Sequence, residues 1–408
     1  MNFLILNEGY YKNKNLFEKG YKDKIFFKKK KLIDLSHCSG SLLFGHNSQI
    51  FVKSLKKYLQ KKFSIFSHPN SHANEFSKLI KKCFPGFKKI IFCNTGSEAV
   101  TKALRISSSL NKKDNIVLVS GSWHGSVGKT LYKPNKKLNA VPLSAGLDKY
   151  DQRKVIFIPY NDIVNSRKIL NKNKNKINCL IIEPIQASLP IENIYQYLIF
   201  LETYCKRNNI TLIFDEVITG FRTIEGSVQK KFNIKPDITI LGKVLGGGLP
   251  IGLIGINNRI YSKLSKNKNK IFFGGTFSGN SMSSYIGFNT LKYLKKNKHK
   301  LQDLVRKSKF FQKDLNHFFI SKNIDAKVYR FQSILRIIFS NKKIQDRVQR
   351  DFLERKKNLK IAKLRKYLFE KGIYYPSNGI IFFSTATDTK SINTLIKLIK
   401  LKSLDLKI

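Results

Sequence analysis

Between about residues 88 and 260, short apolar runs rich in β-branched residues alternate with stretches of helical spacing, and no other feature constrains the fold as tightly. Strands of a parallel sheet are buried on both faces and so read as continuous apolar runs, and each needs a crossover, usually helical, to reach its neighbour. The expected strands are 88-KKIIFC-93, 115-NIVLVS-120, 178-NCLIIEP-184, 210-ITLIFDEV-217, 237-DITILG-242 and 251-IGLIGI-256. From Glu98 to Leu110, the residues Val100, Ala103, Leu104 and Ser107 recur at helical spacing. Past about Asn280 the texture changes to long Lys-rich amphipathic helices, with short strands near 333-SILRIIF-339 and 379-GIIFFST-385. The 408 residues exceed one ordinary core. The expectation is an α/β chain in which 41–280 form a large domain with a mostly parallel central sheet flanked by helices. Residues 281–408 would form a smaller α+β domain, joined by the segment 1–40.

The net charge of +51 invites a nucleic-acid role, but the lysines are spread along the chain among Asn and Ile, as in 171-NKNKNKIN-178, 265-SKNKNK-270 and 295-KKNKHK-300. A codon bias toward Lys, Asn, Ile and Phe explains such a spread better than a binding stripe does, so no specific nucleic-acid partner is expected. No apolar run approaches the roughly 18 residues that cross a bilayer, and 1–10 lack the form of a signal peptide, so the cytoplasm is expected and a membrane is not. Five cysteines without a Cys-x-x-Cys pair read as reduced thiols. His68 and His72 read as loop residues around Pro69 rather than metal ligands.

Five segments carry chemistry. In 94-NTGSEAV-100, Thr95 and Glu98 fit a capping box, while Gly96 and Ser97 sit where a helix terminus offers unpaired N–H groups to a phosphate. In 121-GSWHG-125, the chain's single tryptophan, Trp123, stands after a strand, where its indole can stack on a flat ring or serve as an ordinary core residue. In 213-IFDEVITGFR-222, Asp215 closes a strand, so its carboxylate falls at the edge where open α/β sheets bind ligands. It can pair with a protonated ring nitrogen, with Val217 on the same side; Glu216 alternates to the opposite face, which weakens a shared magnesium site. In 240-ILGKVLGGGLPIG-252, Lys243 precedes three glycines. A P-loop is excluded because its first glycine would be Asp237 and its Ser or Thr is Val244. An amine nucleophile toward an aldehyde is the better reading, favoured by burial near other positive charge. In 274-GGTFSGN-280, Thr276 offers a hydroxyl suited to a phosphate.

Together and in this order, the segments resemble the class III pyridoxal-phosphate aminotransferases of fold type I, closest to the glutamate-1-semialdehyde 2,1-aminomutase branch. That branch has Asp-Glu-Val-Met-Thr-Gly-Phe-Arg where this chain has 215-DEVITGFR-222, differing only at Ile218. The resemblance runs from roughly residue 15 to the end and implies pyridoxal 5′-phosphate as cofactor. It implies that Lys243 holds the cofactor covalently and shuttles a proton, and that Asp215 pairs with the pyridine nitrogen. Trp123 and Val217 would cover the ring's faces, and Gly96 and Ser97 would hold the phosphate. His124 and Glu183 match pocket positions. Thr276 would reach the neighbouring subunit's phosphate, which implies a homodimer with shared sites.

Substrate-holding segments depart from that branch. Its amino-terminal Pro-Val-Arg-Ala-Phe stretch has no counterpart in 1-MNFLILNEGYYKNKN-15, its pocket tryptophan falls on Ser39, and an asparagine falls on Ser188. Near the carboxyl end, 376-PSNGIIFFSTAT-387 is shortened or changed. The expected activity is therefore amino-group transfer between a small-molecule donor and a carbonyl or semialdehyde acceptor. The alternatives are a true aminomutase, an idle fold that binds RNA, and a kinase-like or nucleotidase enzyme, the last disfavoured by the missing P-loop.

Overall fold

A computed structural model describes residues 16–63, 66–267 and 270–406. Seven strands form the central sheet in the order Lys89–Cys93, Gly252–Ile256, Ile238–Gly242, Thr211–Asp215, Ile177–Ile182, Asn115–Val119, Val155–Ile158. Neighbours from Val155–Ile158 through Ile238–Gly242 pair in parallel. Gly252–Ile256 runs antiparallel to both of its neighbours. All six expected strands of this sheet are present. The seventh, Val155–Ile158, is an edge strand that the sequence reading omits; it spans four residues and follows a short helix, Lys149–Arg153, with no buried face to announce a crossover.

Strands Ile177–Ile182, Thr211–Asp215 and Ile238–Gly242 are buried at every position, as expected for a sheet covered on both faces. Alternation divides their side chains between two cores. Ile181 and Ile213 pack with Val100, Ala103 and Leu104 of the helix Gly96–Ser108. Leu180, Ile182, Leu212 and Phe214 pack on the other face with Tyr197, Leu198 and Leu201 of the helix Tyr195–Arg207. Since six strands run one way, the ends at Cys93, Val119, Ile182, Asp215 and Gly242 share one edge of the sheet. The reversed strand begins at that same edge, so the sequence motifs converge there.

The segment past Asn280 holds the helices Ser281–Lys296 and Lys298–Ser321 and an antiparallel sheet of Lys327–Phe331, Ile334–Ile338 and Ile380–Phe382. The first of those helices packs on Gln49–Gln60 and Ser71–Cys83. Near the amino end, Lys19–Tyr21, Lys24–Phe27 and Lys30–Asp34 join Ile373–Tyr374 in a four-stranded sheet, so early and late parts of the chain share a layer. His72 lies in the helix Ser71–Cys83 rather than in a loop, where its ring meets the edges of Phe63 and Tyr285. Asn70 caps that helix, and this cap starts it directly after Pro69. All five cysteines are free. Among the described residues no helix is long and apolar enough to cross a membrane. The expectations made on 1–15, that it has neither the form of a signal peptide nor a counterpart of the branch's amino-terminal substrate stretch, fall outside the described residues.

Candidate active site

At the sheet's carboxyl edge lies a cavity of about 430 Å³ whose walls include Gly96, Ser97, Trp123, His124, Glu183, Asp215, Val217 and Lys243. Eight of the nine residues singled out from the sequence therefore meet in one place. Thr276 does not join them; it is exposed, and its carbonyl accepts a hydrogen bond from Ser67 Oγ at 3.0 Å.

The strand Lys89–Cys93 delivers the chain to the helix Gly96–Ser108, capped by Thr95, whose Oγ1 accepts the Glu98 N–H at 3.1 Å. Glu98 reaches back to the Asn94 N–H at 2.7 Å, one residue earlier than in the expected capping box. The Gly96 and Ser97 N–H groups have no carbonyl partner within the helix, and both residues line the cavity, so the helix terminus offers donors there. Ser97 Oγ is held there by accepting the Ser126 N–H at 3.1 Å. Gly125 makes that approach possible: it has φ +75, and a Cβ on it would stand 2.2 Å from Ser97 Oγ.

Asp215 ends its strand with a buried carboxylate. Oδ2 lies 2.8 Å from His124 Nδ1, and Oδ1 accepts the Val217 N–H at 3.1 Å. An ionised carboxylate only accepts, so the imidazole carries its proton on Nδ1. His124 Nε2 is buried without a partner among the described residues. Trp123 is 48% exposed and stands in the cavity wall, which removes the core-tryptophan reading. Its backbone N–H donates to Glu183 Oε2 at 2.8 Å. Burial, with the Asp215 charge adding to it, pushes the Glu183 carboxyl up to about 7. Glu216 turns to the other face, as alternation requires. There it accepts the N–H groups of Val228 and Gln229 and the Thr219 hydroxyl. Among the described residues no group of three His, Cys, Asp or Glu side chains is placed to hold a metal.

Lys243 follows the strand Ile238–Gly242 with φ +49, a left-handed conformation that costs a non-glycine residue energy. Gly247 and Gly248 continue at φ +60 and +117, and the chain re-enters the sheet at Gly252, paired with Gly242. Burial lowers the Lys243 amine to about 8; Glu183 and Asp215 oppose that shift and Arg222 adds to it. The sequence reading credits burial near positive charge; burial is the largest cause, and Arg222 is the positive neighbour that adds to it.

Opposite lies a turn that sequence reasoning saw only dimly. His37, Cys38, Ser39 and Gly40 all have positive φ, at 41, 54, 52 and 86 degrees. Asp34 anchors it by accepting the N–H groups of Ser36 and His37 at 2.7 and 3.0 Å. At the turn's end Arg222 Nη2 donates to the Gly40 carbonyl at 2.5 Å. Cys38 and Ser41 line the cavity, and Ser39 does not. A left-handed turn has no strand or helix period, so counting along the sequence could not assign its inward side chains. Ser188 is likewise not in the wall; its Oγ donates to the Gly121 carbonyl at 3.4 Å. Asn94, Gly125 and Leu249 to Ile251 also line the wall without having been singled out.

The donor set suits a flat, phosphorylated, aldehyde-bearing ring: helix-terminal N–H groups and a hydroxyl, a carboxylate, apolar and aromatic walls, and a buried amine. Residues 27–355 match the family model for aminotransferase class-III. This chain belongs to the class III aminotransferases. Among curated relatives it is 32% identical over 373 residues to the glutamate-1-semialdehyde 2,1-aminomutase of Methanocaldococcus jannaschii, covering 90% of this chain and 85% of that one. An omega-transaminase from Sphaerobacter thermophilus superposes with a TM-score of 0.91 at 19% identity, covering 99% of this chain and 94% of that one. A transaminase with PLP bound superposes at 0.86 and 19% identity, covering 98% and 94%. The fold is thus that of the fold-type-I pyridoxal-phosphate transferases. Like other class III aminotransferases, this one is a pyridoxal-phosphate-dependent aminotransferase or aminomutase.

Proposed function

We propose that this class III aminotransferase moves an amino group from a small-molecule donor to a carbonyl or semialdehyde acceptor other than glutamate 1-semialdehyde. The carrying observation is that Lys243 and Asp215 line one cavity with the helix terminus at Gly96 and Ser97. Bound there, pyridoxal 5′-phosphate supplies an electron sink for the charge left when a substrate carbon loses its proton. Asp215 keeps a proton on the ring nitrogen, and His124 orients its carboxylate. The Lys243 nitrogen moves a proton between the substrate carbon and C4′, a role that its lowered affinity for protons supports. Gly96 and Ser97 hold the phosphate, while Trp123 and Val217 close over the two faces of the ring. Glu183 fixes the backbone of Trp123.

On this proposal the enzyme is a cytoplasmic homodimer whose Thr276 reaches the partner's phosphate, which agrees with Thr276 lying outside its own cavity. On the same proposal the chain divides into 1–40, 41–280 and 281–408, and the sheet that joins Lys30–Asp34 to Ile373–Tyr374 supports the association of the first segment with the last. A true aminomutase is the second reading, favoured by the identity to the M. jannaschii enzyme over most of both chains. None of these comparisons favours an RNA-binding role.

Borohydride trapping tests the core assignment: Lys243→Ala must lose all covalently retained cofactor, and surviving label would refute it. A panel of amino donors, followed by the cofactor's spectrum, then identifies the donor class. Conversion of glutamate 1-semialdehyde to 5-aminolevulinate without an external donor would establish the second reading instead.

A further inference from the structure

Lys102 is 4% exposed, on the inner side of the helix whose amino terminus borders the cavity, yet it is no part of the cavity wall. Burying an ammonium is costly unless its partners are well placed. Its Nζ donates to Glu98 Oε1 at 2.5 Å and to the Phe273 carbonyl at 3.1 Å. Glu98 Oε1 also accepts the Ser278 hydroxyl at 3.4 Å, and Arg105 Nη1 donates to the Phe272 carbonyl at 3.0 Å. A Cβ built on Gly275 would stand 3.0 Å from Glu98 Oε1, so the segment's backbone lies on that carboxylate. Asn70 Nδ2 holds the far end through the Gly279 carbonyl at 2.9 Å. All these ties converge on residues 272–279, which present Thr276 outward between Phe272 and Phe277, 78% and 56% exposed.

We propose that Lys102, through Glu98 and the Phe273 carbonyl, is a positioning residue for the neighbouring subunit's cofactor, fixing the segment that offers Thr276 to the partner's phosphate. The proposal rests on the shared-site homodimer above. One helix then serves two sites: its terminus seats its own subunit's phosphate, and its buried face sets the donor for the other subunit's. Lys102 thus acts in trans, whereas Ser97 acts in cis.

Mixed dimers carrying two affinity tags separate these roles. In a Lys102→Met/Lys243→Ala dimer, the only lysine able to trap cofactor sits in the Lys102→Met subunit, which receives Thr276 from an intact segment. The readout is the pyridoxal-phosphate concentration giving half-maximal borohydride trapping. Loss of one charge-assisted phosphate contact should raise it about tenfold in the Lys102→Met homodimer. The mixed dimer should return to the wild-type value. Thr276→Ala should behave the same way, and Ser97→Ala should stay weak in its mixed dimer. A Lys102→Met mixed dimer that stays as weak as the homodimer, while Thr276→Ala is rescued, overturns the proposal alone. A Thr276→Ala homodimer that traps like wild type overturns the shared-site dimer and the proposal with it. Should Lys102→Met not fold, Ser278→Ala, which cuts only the segment's hydroxyl tie to Glu98, takes its place, with the same pattern expected at smaller amplitude.

Discussion

His124 and Asp215 form a buried pair, Nδ1 to Oδ2 at 2.8 Å, that joins the loop after one strand to the end of another. The second Asp215 oxygen is held by the Val217 N–H, so the carboxylate has a fixed plane before any ligand arrives.

Asp215→Asn keeps the shape and removes the charge. The variant should retain cofactor but transfer an amino group about 10²- to 10³-fold more slowly, the range for losing one preorganised electrostatic partner. Stopped-flow spectra after mixing with a saturating amino donor measure this; an unchanged rate would remove Asp215 from the chemistry.

Ser97→Ala deletes a hydroxyl at the helix terminus while leaving the N–H groups. Cofactor affinity should fall about tenfold, as for one hydrogen bond to a charged group. Quenching of Trp123, the chain's single tryptophan, reports the binding directly.

Two groups in the cavity give the apoprotein opposite pH slopes. Burial holds the Lys243 amine at about 8, below its usual 10.5. Between those values the unfolded chain carries a proton that the folded chain has released, so stability rises with pH. Glu183, raised to about 7 from 4.5, holds in the folded state a proton that the unfolded chain has lost, so stability falls across that window. The thermal midpoint of wild type minus Lys243→Met should climb from pH 8 to 10.5. Wild type minus Glu183→Gln should drop from pH 4.5 to 7. Flat difference curves would contradict both assignments.

Arg222 is completely buried, lies over the Phe382 ring and donates to the Gly40 carbonyl, the Phe383 carbonyl and Ser333 Oγ. Arg222→Leu leaves those acceptors unsatisfied and opens a void, and should cost about 3–5 kcal/mol. Urea unfolding should show it as a lower midpoint.

The central sheet was legible because buried parallel strands announce themselves as apolar runs, and four of the five motifs, those that follow such runs, placed most of the cavity. Val155–Ile158 escaped because only four residues mark it and no buried helical face precedes it. Cys38 and Ser41 escaped for a different reason. Their turn is held by Asp34 just before it and, from distant parts of the chain, by Arg222 and by the Phe382 carbonyl that meets the His37 ring, contacts that no local spacing encodes. Glu216 was legible as pointing away from Asp215, yet its task as anchor for the helix Val228–Phe232 depends on a chain segment that folds back onto it.

Most cavity segments lead away from the sheet into a crossover, but residues 243–251 leave and rejoin the same edge, clamped where Gly242 pairs with Gly252. That clasp ties the lysine to the sheet, while the proposed phosphate seat lies on a separate helix that follows the neighbouring strand, whose Cys93 pairs with Gly252. An extra residue inserted within the clasp would therefore uncouple docking from bonding: the ligand would still settle in place, but the amine meant to seize it would arrive out of step.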